Sequence, residues 1–279
     1  MESVAIRPVT DIETFRALEE LQQRTWGMPN REIVPYYQLL AAAAAGGVVL
    51  GAFMPEEPTP IGFCYAFVGL RDGRPFLYSH MAAVAPEYRG SGVGYALKRA
   101  QREAALARGL DRIIWTYDPL QAANAHFNLR KLGAEAGRYF VNYYGAMEDD
   151  LNRGGESDRL EVDWWLAAPR VSAAVEGHIR PAVAGAEEAP VALGSAGDPP
   201  RPEEWDQLLQ APAVRIAVPS NYTAILRLDP ALALAWREAS RRVFLRYFER
   251  GYVAVDFLRG GEGGSYVLAA GRAGDGRAG

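Results

Sequence analysis

The stretch Val84-Ala85-Pro86-Glu87-Tyr88-Arg89-Gly90-Ser91-Gly92-Val93-Gly94-Tyr95 carries an apolar run through a glycine-rich turn and directly into a segment of helical periodicity. That local order suits an anion. Backbone amides in the first turn of a helix lack partners inside the helix, and the helix dipole adds partial positive charge there. Glycines permit unusual dihedrals and close approach of a ligand. Arg89, at the entry, adds donors for charge-assisted bonds to phosphate oxygens. Residues 89–94 therefore read as a pyrophosphate cradle, with Arg89, Gly90, Ser91, Gly92, Val93 and Gly94 as its candidates. A dinucleotide-binding turn is excluded because no parallel strand-helix-strand start and no ribose-binding acid are correctly placed, and a nucleoside-triphosphate loop lacks its Gly-Lys-Ser/Thr.

Upstream of the turn, residues 4–8 read as a strand and residues 12–24 as a helix, with Asp11 as N-cap and Phe15, Leu18 and Leu21 on one face. A second helix over 32–44 ends at Gly46-Gly47. Apolar runs at 48–54, 60–70 and 76–84, separated by turn compositions, predict three antiparallel strands. Downstream, Tyr95, Leu97, Ala100, Ala104 and Leu106 give a helix over 93–108 that stops at Gly109. A strand at 112–117, a short helix at 120–132 closed by Gly133, and strands at 139–145 and 160–166 follow.

Residues 1–168 thus predict an α/β domain, a mixed and mostly antiparallel sheet flanked by helices. Residues 181–204 are crowded with Pro, Ala, Gly and Glu, so 169–204 is expected to be a linker or exposed excursion. Residues 205–270 form a smaller α+β unit: a strand at 213–218, a helix from Asp229-Pro230 to Arg250, and strands at 252–258 and 265–269. The apolar helix face of Trp236, Ala239, Val243, Phe244 and Tyr247 needs cover, and packing on the first domain is the expected solution. Residues 271–279, rich in Gly and Arg, are expected to be disordered.

Of the 279 residues, 49% are hydrophobic and 23% charged, which excludes wholesale disorder. The net charge of -4 gives no general attraction for nucleic acid or an anionic membrane, so neither is an expected partner. Arg237, Arg241, Arg242, Arg246 and Arg250 recur at helical spacing, a pattern that reads as a solvated helix face. The one cysteine, Cys64, lies in an apolar run and reads as a small buried hydrophobe. It forms no zinc-ligand spacing with His80, His126 or His178, so no metal is expected. With no leader-like start and no apolar stretch near the ~18 residues of a membrane span, a cytoplasmic location is expected.

The glycine turn resembles motif A of the GNAT acyltransferase superfamily, whose signature places Arg or Gln, two residues, Gly, one residue, and Gly or Ala after a strand ending in Val-x-Pro. Arg89, Gly92 and Gly94 match it, as do Val84 and Pro86. The stretch from Asp118 to Ala134 resembles motif B and keeps its terminal Lys131-Leu132-Gly133, but Leu129 stands where many members carry a Tyr that protonates the leaving thiolate. The order of elements over residues 4–166 is also similar to that family. Ser79-His80-Met81, the segment from Trp115 to Leu120, and Asn142-Tyr143-Tyr144-Gly145 resemble a subfamily known only as predicted acyltransferases. The resemblance implies acyl-CoA, most simply acetyl-CoA, as cosubstrate.

The chemistry so implied is attack of an amine on a thioester, which requires deprotonation of the amine and a hold on the carbonyl oxygen. Backbone amides around Ala82, Ala83 and Val84 suit the second task. Strand alternation puts His80 on one face with Ala82 and Val84, and its intrinsic pKa suits a base; a packed structural histidine is the alternative reading. Asp118 is a candidate for binding or deprotonating the acceptor or, before Pro119, for organising a turn. Tyr144 is a candidate acid or a sheet-core ring. Asn124 and Asn128, one helical turn apart, are candidates for cofactor contacts or for capping and surface roles. The leading expectation is N-acylation of a small amine such as an amino acid. A protein amine and a non-catalytic acyl-CoA-binding module are the alternatives, and the C-terminal unit is free to complete the acceptor pocket, form a homodimer surface, or represent a decayed second GNAT-like half.

Overall fold

In the computed structural model, which describes residues 4–55, 57–150, 152–195, 199–202, 205–260 and 263–271, the apolar run before the glycine turn is a long strand and the segment after it a helix. The chain divides into two compact units, Met1–Trp115 with Glu148–Leu151, and Thr116–Met147 with Asn152–Gly279. The division thus falls within a strand, whereas the sequence reading set a boundary after residue 168.

The first unit contains β1 (Ala5–Pro8), α1 (Ile12–Trp26), α2 (Tyr36–Ala44), β2 (Val48–Phe53), β3 (Gly62–Arg71), β4 (Arg74–Val84), α3 (Val93–Leu106) and the start of β5 (Arg112–Tyr117). The strands lie in the order β1-β2-β3-β4-β5. The first four run antiparallel, and β5 returns parallel to β4 through the α3 crossover. Asp11 caps α1 by accepting the Thr14 amide at 2.7 Å. One sheet face is covered by α1 and α2, where Phe15, Leu18, Leu21 and Leu39 cluster with Phe63, Tyr65, Met81 and Ala83. The other face meets α3: Cys64 is fully buried, its Sγ 4.0 Å from the Leu97 carbonyl. Burial pushes that thiol up to about 12, so it is an inert core group. The helix expected over 32–44 begins only at Tyr36, because Pro35 disfavours helical geometry in the residue before it; Asn30–Glu32 is a separate 3-10 turn.

The second unit contains α4 (Ala122–Ala125), a π-helical turn at His126–Lys131, β6 (Glu135–Phe140), β7 (Arg159–Trp165), α5 (Pro169–Val175), β8 (Val191–Ser195), β9 (Pro200–Pro202), β10 (Ala213–Pro219), α6 (Tyr222–Leu228), α7 (Pro230–Glu249), β11 (Tyr252–Gly260) and β12 (Gly263–Ala270). Its strands order as β7-β6-β11-β12-β10-β8-β9, antiparallel except for β10 against β8. The apolar face of α7 is covered as the periodicity demands: Trp236, Val243, Phe244 and Tyr247 are buried, and Phe244 meets Tyr266 edge-on at 5.0 Å.

Three elements differ from the sequence reading. The segment expected as a linker holds α5 and β8, with Ala192 and Leu193 buried and β8 paired to β10; its Pro and Gly content hid two short elements. The strand expected at 139–145 lies at Glu135–Phe140, and the residues after it turn, with Asn142 at φ +46 and its side-chain oxygen accepting from the Ser157 amide. Helix α6, seven residues capped by Asn221, was not anticipated. Of the tail expected to be disordered, residues 272–279 lie outside the described residues.

Candidate functional site

After β4 the chain makes a 3-10 turn at Pro86–Tyr88, and Arg89 is extended. Gly90 at φ +80 and Gly92 at φ +93 occupy the left-handed region, and a Cβ at either would meet nothing within 4 Å. Backbone conformation, not crowding, therefore requires these glycines, and the space over them is open. Gly92 is the N-cap of α3 with no side-chain cap bond, and among the described residues no side chain accepts from the amides of Val93 and Gly94 at this helix start. A Cβ at Gly94 would lie 3.7 Å from Val84 Cγ2, ordinary contact with the strand that leads into the turn. The Ser91 hydroxyl is engaged within the loop, donating to the Tyr88 carbonyl at 2.6 Å. Arg89 turns one guanidinium nitrogen to the Thr25 carbonyl at 3.0 Å. The open, uncapped helix start fits a pyrophosphate.

On β4 the register with β3 slips: Tyr65 opposes Met81, but Ala66 opposes Ser79, leaving His80 as the extra residue of a bulge. This corrects the expected face. Tyr65 and Phe67 share one side of β3 with their partners Met81 and Tyr78, and the imidazole lies among the rings of Tyr65, Phe67 and Tyr78 at 5.8, 6.0 and 6.3 Å. Ala82 instead opposes Cys64, on the α3 face. His80 is exposed to solvent, yet desolvation by the groups around it lowers its pKa below the ordinary imidazole value, and among the described residues no hydrogen bond holds it. An unheld, neutral imidazole suits a base. The Ala85 amide donates to the Ile61 carbonyl of the strand beside it. Alternation then turns the Ala83 amide toward β3 as well, and those of Ala82 and Val84 away from it. Ala82 and Val84, rather than Ala83, present donors at the edge away from β3.

The second unit places its candidates differently. Both Asp118 oxygens accept from Arg237, at 2.7 Å each, and one also accepts the Leu120 amide at 2.9 Å. The pair is buried, so Asp118 is a structural clamp here and not a free base. Arg241 donates to Asp158 at 2.8 and 2.9 Å and also contacts Glu156. Burial opposes the Asp158 charge, but Arg241, the Tyr139 hydroxyl and the Asn142 amide outweigh it and hold its pKa below the usual range. The arginine run read as a solvated face is therefore partly internal; helical spacing alone carried no sign that Asp118 and Asp158 face it. Asn124 is exposed and Asn128 buried, because the π turn offsets them from one helix face. Leu129 is wholly buried. Tyr144 sits in the turn after β6 with its hydroxyl 3.3 Å from Thr116 Oγ1.

Residues 15–134, from α1 through the π turn, match the model of the acetyltransferase (GNAT) family. Among solved structures, the ribosomal-protein-S18-alanine N-acetyltransferase from Escherichia coli is 16% identical, with 60% of this chain and 96% of that chain covered and a TM-score of 0.48. YncA from Salmonella typhimurium, solved with acetyl-CoA, is 19% identical over 60% and 97% of the chains, with a TM-score of 0.47. Arabidopsis thaliana Naa50, solved with a bisubstrate analogue, is 21% identical over 58% and 97%, with a TM-score of 0.45. No curated protein matches the chain. The glycine turn at the start of α3 lies inside the stretch, residues 15–134, that matches the acetyltransferase (GNAT) family model, so over that stretch the chain is similar to GNAT acetyltransferases.

Proposed function

We propose that this protein transfers an acyl group, most simply acetyl, from acyl-CoA to the primary amine of a small metabolite such as an amino acid. The observation that carries the reading is the uncapped start of α3 behind Gly90 and Gly92, whose open amides and left-handed glycines suit the CoA pyrophosphate. The amides of Ala82 and Val84 would then donate to the thioester carbonyl oxygen as charge develops on it. His80 takes the amine proton, directly or through water, as the amine nitrogen bonds the carbonyl carbon and the C–S bond breaks. Leu129 supplies no proton, and the sulfur departs as thiolate, a good leaving group near neutral pH. Asp118 serves as the clamp on Arg237 in this scheme, and Tyr144 remains a candidate for acceptor contact.

The rings of Tyr65, Phe67 and Tyr78 beside the solvent-exposed imidazole offer an apolar surface on which the carbon skeleton of a small amine could rest. The lone Cys64, buried and reduced, accords with a cytoplasmic setting. Among the described residues no helix is long and apolar enough to cross a membrane. A panel of acetyl-CoA and succinyl-CoA against free amino acids, small amines and a lysine-containing peptide, followed by mass spectrometry, tests the reading. Acyl addition to one small-amine class is expected. Acylation confined to the peptide overturns the acceptor assignment.

A further inference from the structure

The buried face of α3 carries Val93, Leu97, Gln101 and Ala105, and among them Lys98, only 4% exposed. A methionine or leucine would cover the same surface without the penalty of burying an amine. The ammonium is instead housed. Its Nζ donates to Ser79 Oγ and to Gln101 Oε1, each at 3.0 Å, and lies 3.8 Å over the Trp115 ring. Desolvation lowers its pKa to about 7, yet Nζ–H remains a donor in either protonation state. Gln101 Nε2 is buried with no partner, so this is a polar pocket inside an otherwise apolar layer.

Its place in the fold is informative. The registered pairs between β4 and β5 are Leu77 with Ile113 and Tyr78 with Ile114. Ser79 and Trp115, the residues Lys98 touches, come immediately after them on the two strands. Ser79 also precedes His80, the unpaired residue of the bulge. A bulge has a competing register: if the extra residue moves, every side chain beyond it changes face. Ser79 turned toward α3 and fixed there leaves His80 on the ring-lined face.

Resting on the proposed N-acyl transfer, we infer that Lys98 is a positioning residue: from α3 it holds Ser79, and through Ser79 the bulge that presents His80 to the acceptor amine. Lys98→Met and Ser79→Ala in the full chain test this, with CoA affinity by calorimetry, turnover with a productive amine, and the His80 imidazole resonance by NMR. Each variant should lower kcat about tenfold or more, leave the CoA Kd within about twofold, and shift the His80 resonance. The double variant should fall no further than the worse single, since both act on one link. If Lys98→Met does not fold, Ser79→Ala, which removes one hydroxyl, carries the same readouts. Parental kcat in a folded variant, additive losses, or an unmoved His80 resonance overturns the inference. A parent without amine-dependent turnover refutes the acyl-transfer reading instead, and the resonance still decides whether Lys98 sets the bulge.

Discussion

Replacing Asp118 by alanine should destabilise the protein far more than it alters chemistry at a bound amine. The carboxylate and the Arg237 side chain are 7% and 3% exposed, and two N–H···O contacts of 2.7 Å join them. Arg237 Nε already lacks a hydrogen-bond partner, and losing the carboxylate would take from the buried cation the charge that pairs with it directly, with the Tyr222 ring 4.8 Å away as a weaker neighbour. The Leu120 amide would lose its acceptor too. Breaking a buried pair by removing one member costs about 3–5 kcal/mol, a large share of a typical net stability of about 5–15 kcal/mol. Urea unfolding followed by tryptophan fluorescence should show the midpoint falling accordingly. Asp118→Ala with Arg237→Met should recover much of the loss, because no uncompensated charge remains. A loss below about 1 kcal/mol, with kcat collapsing in a folded protein, would refute this reasoning and return Asp118 to the reacting groups.

A bulky residue at Gly92, such as valine, must adopt φ +93 and projects into the open space over the loop, so CoA affinity should fall at least about tenfold by calorimetry while the fold persists. Unchanged affinity would remove the pyrophosphate assignment. His80→Ala should lower turnover with little effect on CoA binding, and the parent's acid limb in kcat/KM should lie below the ordinary imidazole value of ~6.5, because desolvation lowers the His80 pKa. The share of stability from Asp158, whose folded pKa is held down, is complete above the unfolded value of ~3.9 and is lost as the pH falls through the folded value; Asp158→Asn should flatten acid unfolding in that window. Deleting everything after Pro169 strips β6 of its β11 neighbour and uncovers the surface that Phe244 covers at Tyr139, so the fragment should aggregate or lose the acceptor. A soluble, fully active truncation would contradict that.

The strand, glycine turn and helix around residues 84–106 were legible because their cause is local: period, turn chemistry and helix-start amides all lie within one stretch. The same holds for α7, whose Asp229-Pro230 start and aromatic face sit in a single window. His80 shows the limit. Period 2 placed it with Ala82 and Val84, but a one-residue slip against β3 moved it to the opposite face, and such a slip depends on a partner strand distant in sequence. The Arg237–Asp118 pair spans 119 positions, so neither residue's neighbours announce the other. Lys98 escaped notice for a related reason: in a helix rich in Arg and Lys, one buried amine looks like its solvated neighbours until β4 and β5 are set against it. Pro35, β8 and α6 show short elements lost beneath compositions that favour turns.

The central claim is amine-dependent acyl transfer at the turn of residues 89–94. The most direct measurement is the release of free CoA thiol from acetyl-CoA or succinyl-CoA, followed with and without a panel of primary amines, in the parent protein and in a Gly92 variant. Thiol release that rises with one class of small amine, and disappears with the Gly92 substitution, is the predicted result. CoA binding without amine-dependent thiol release from any donor would contradict the account.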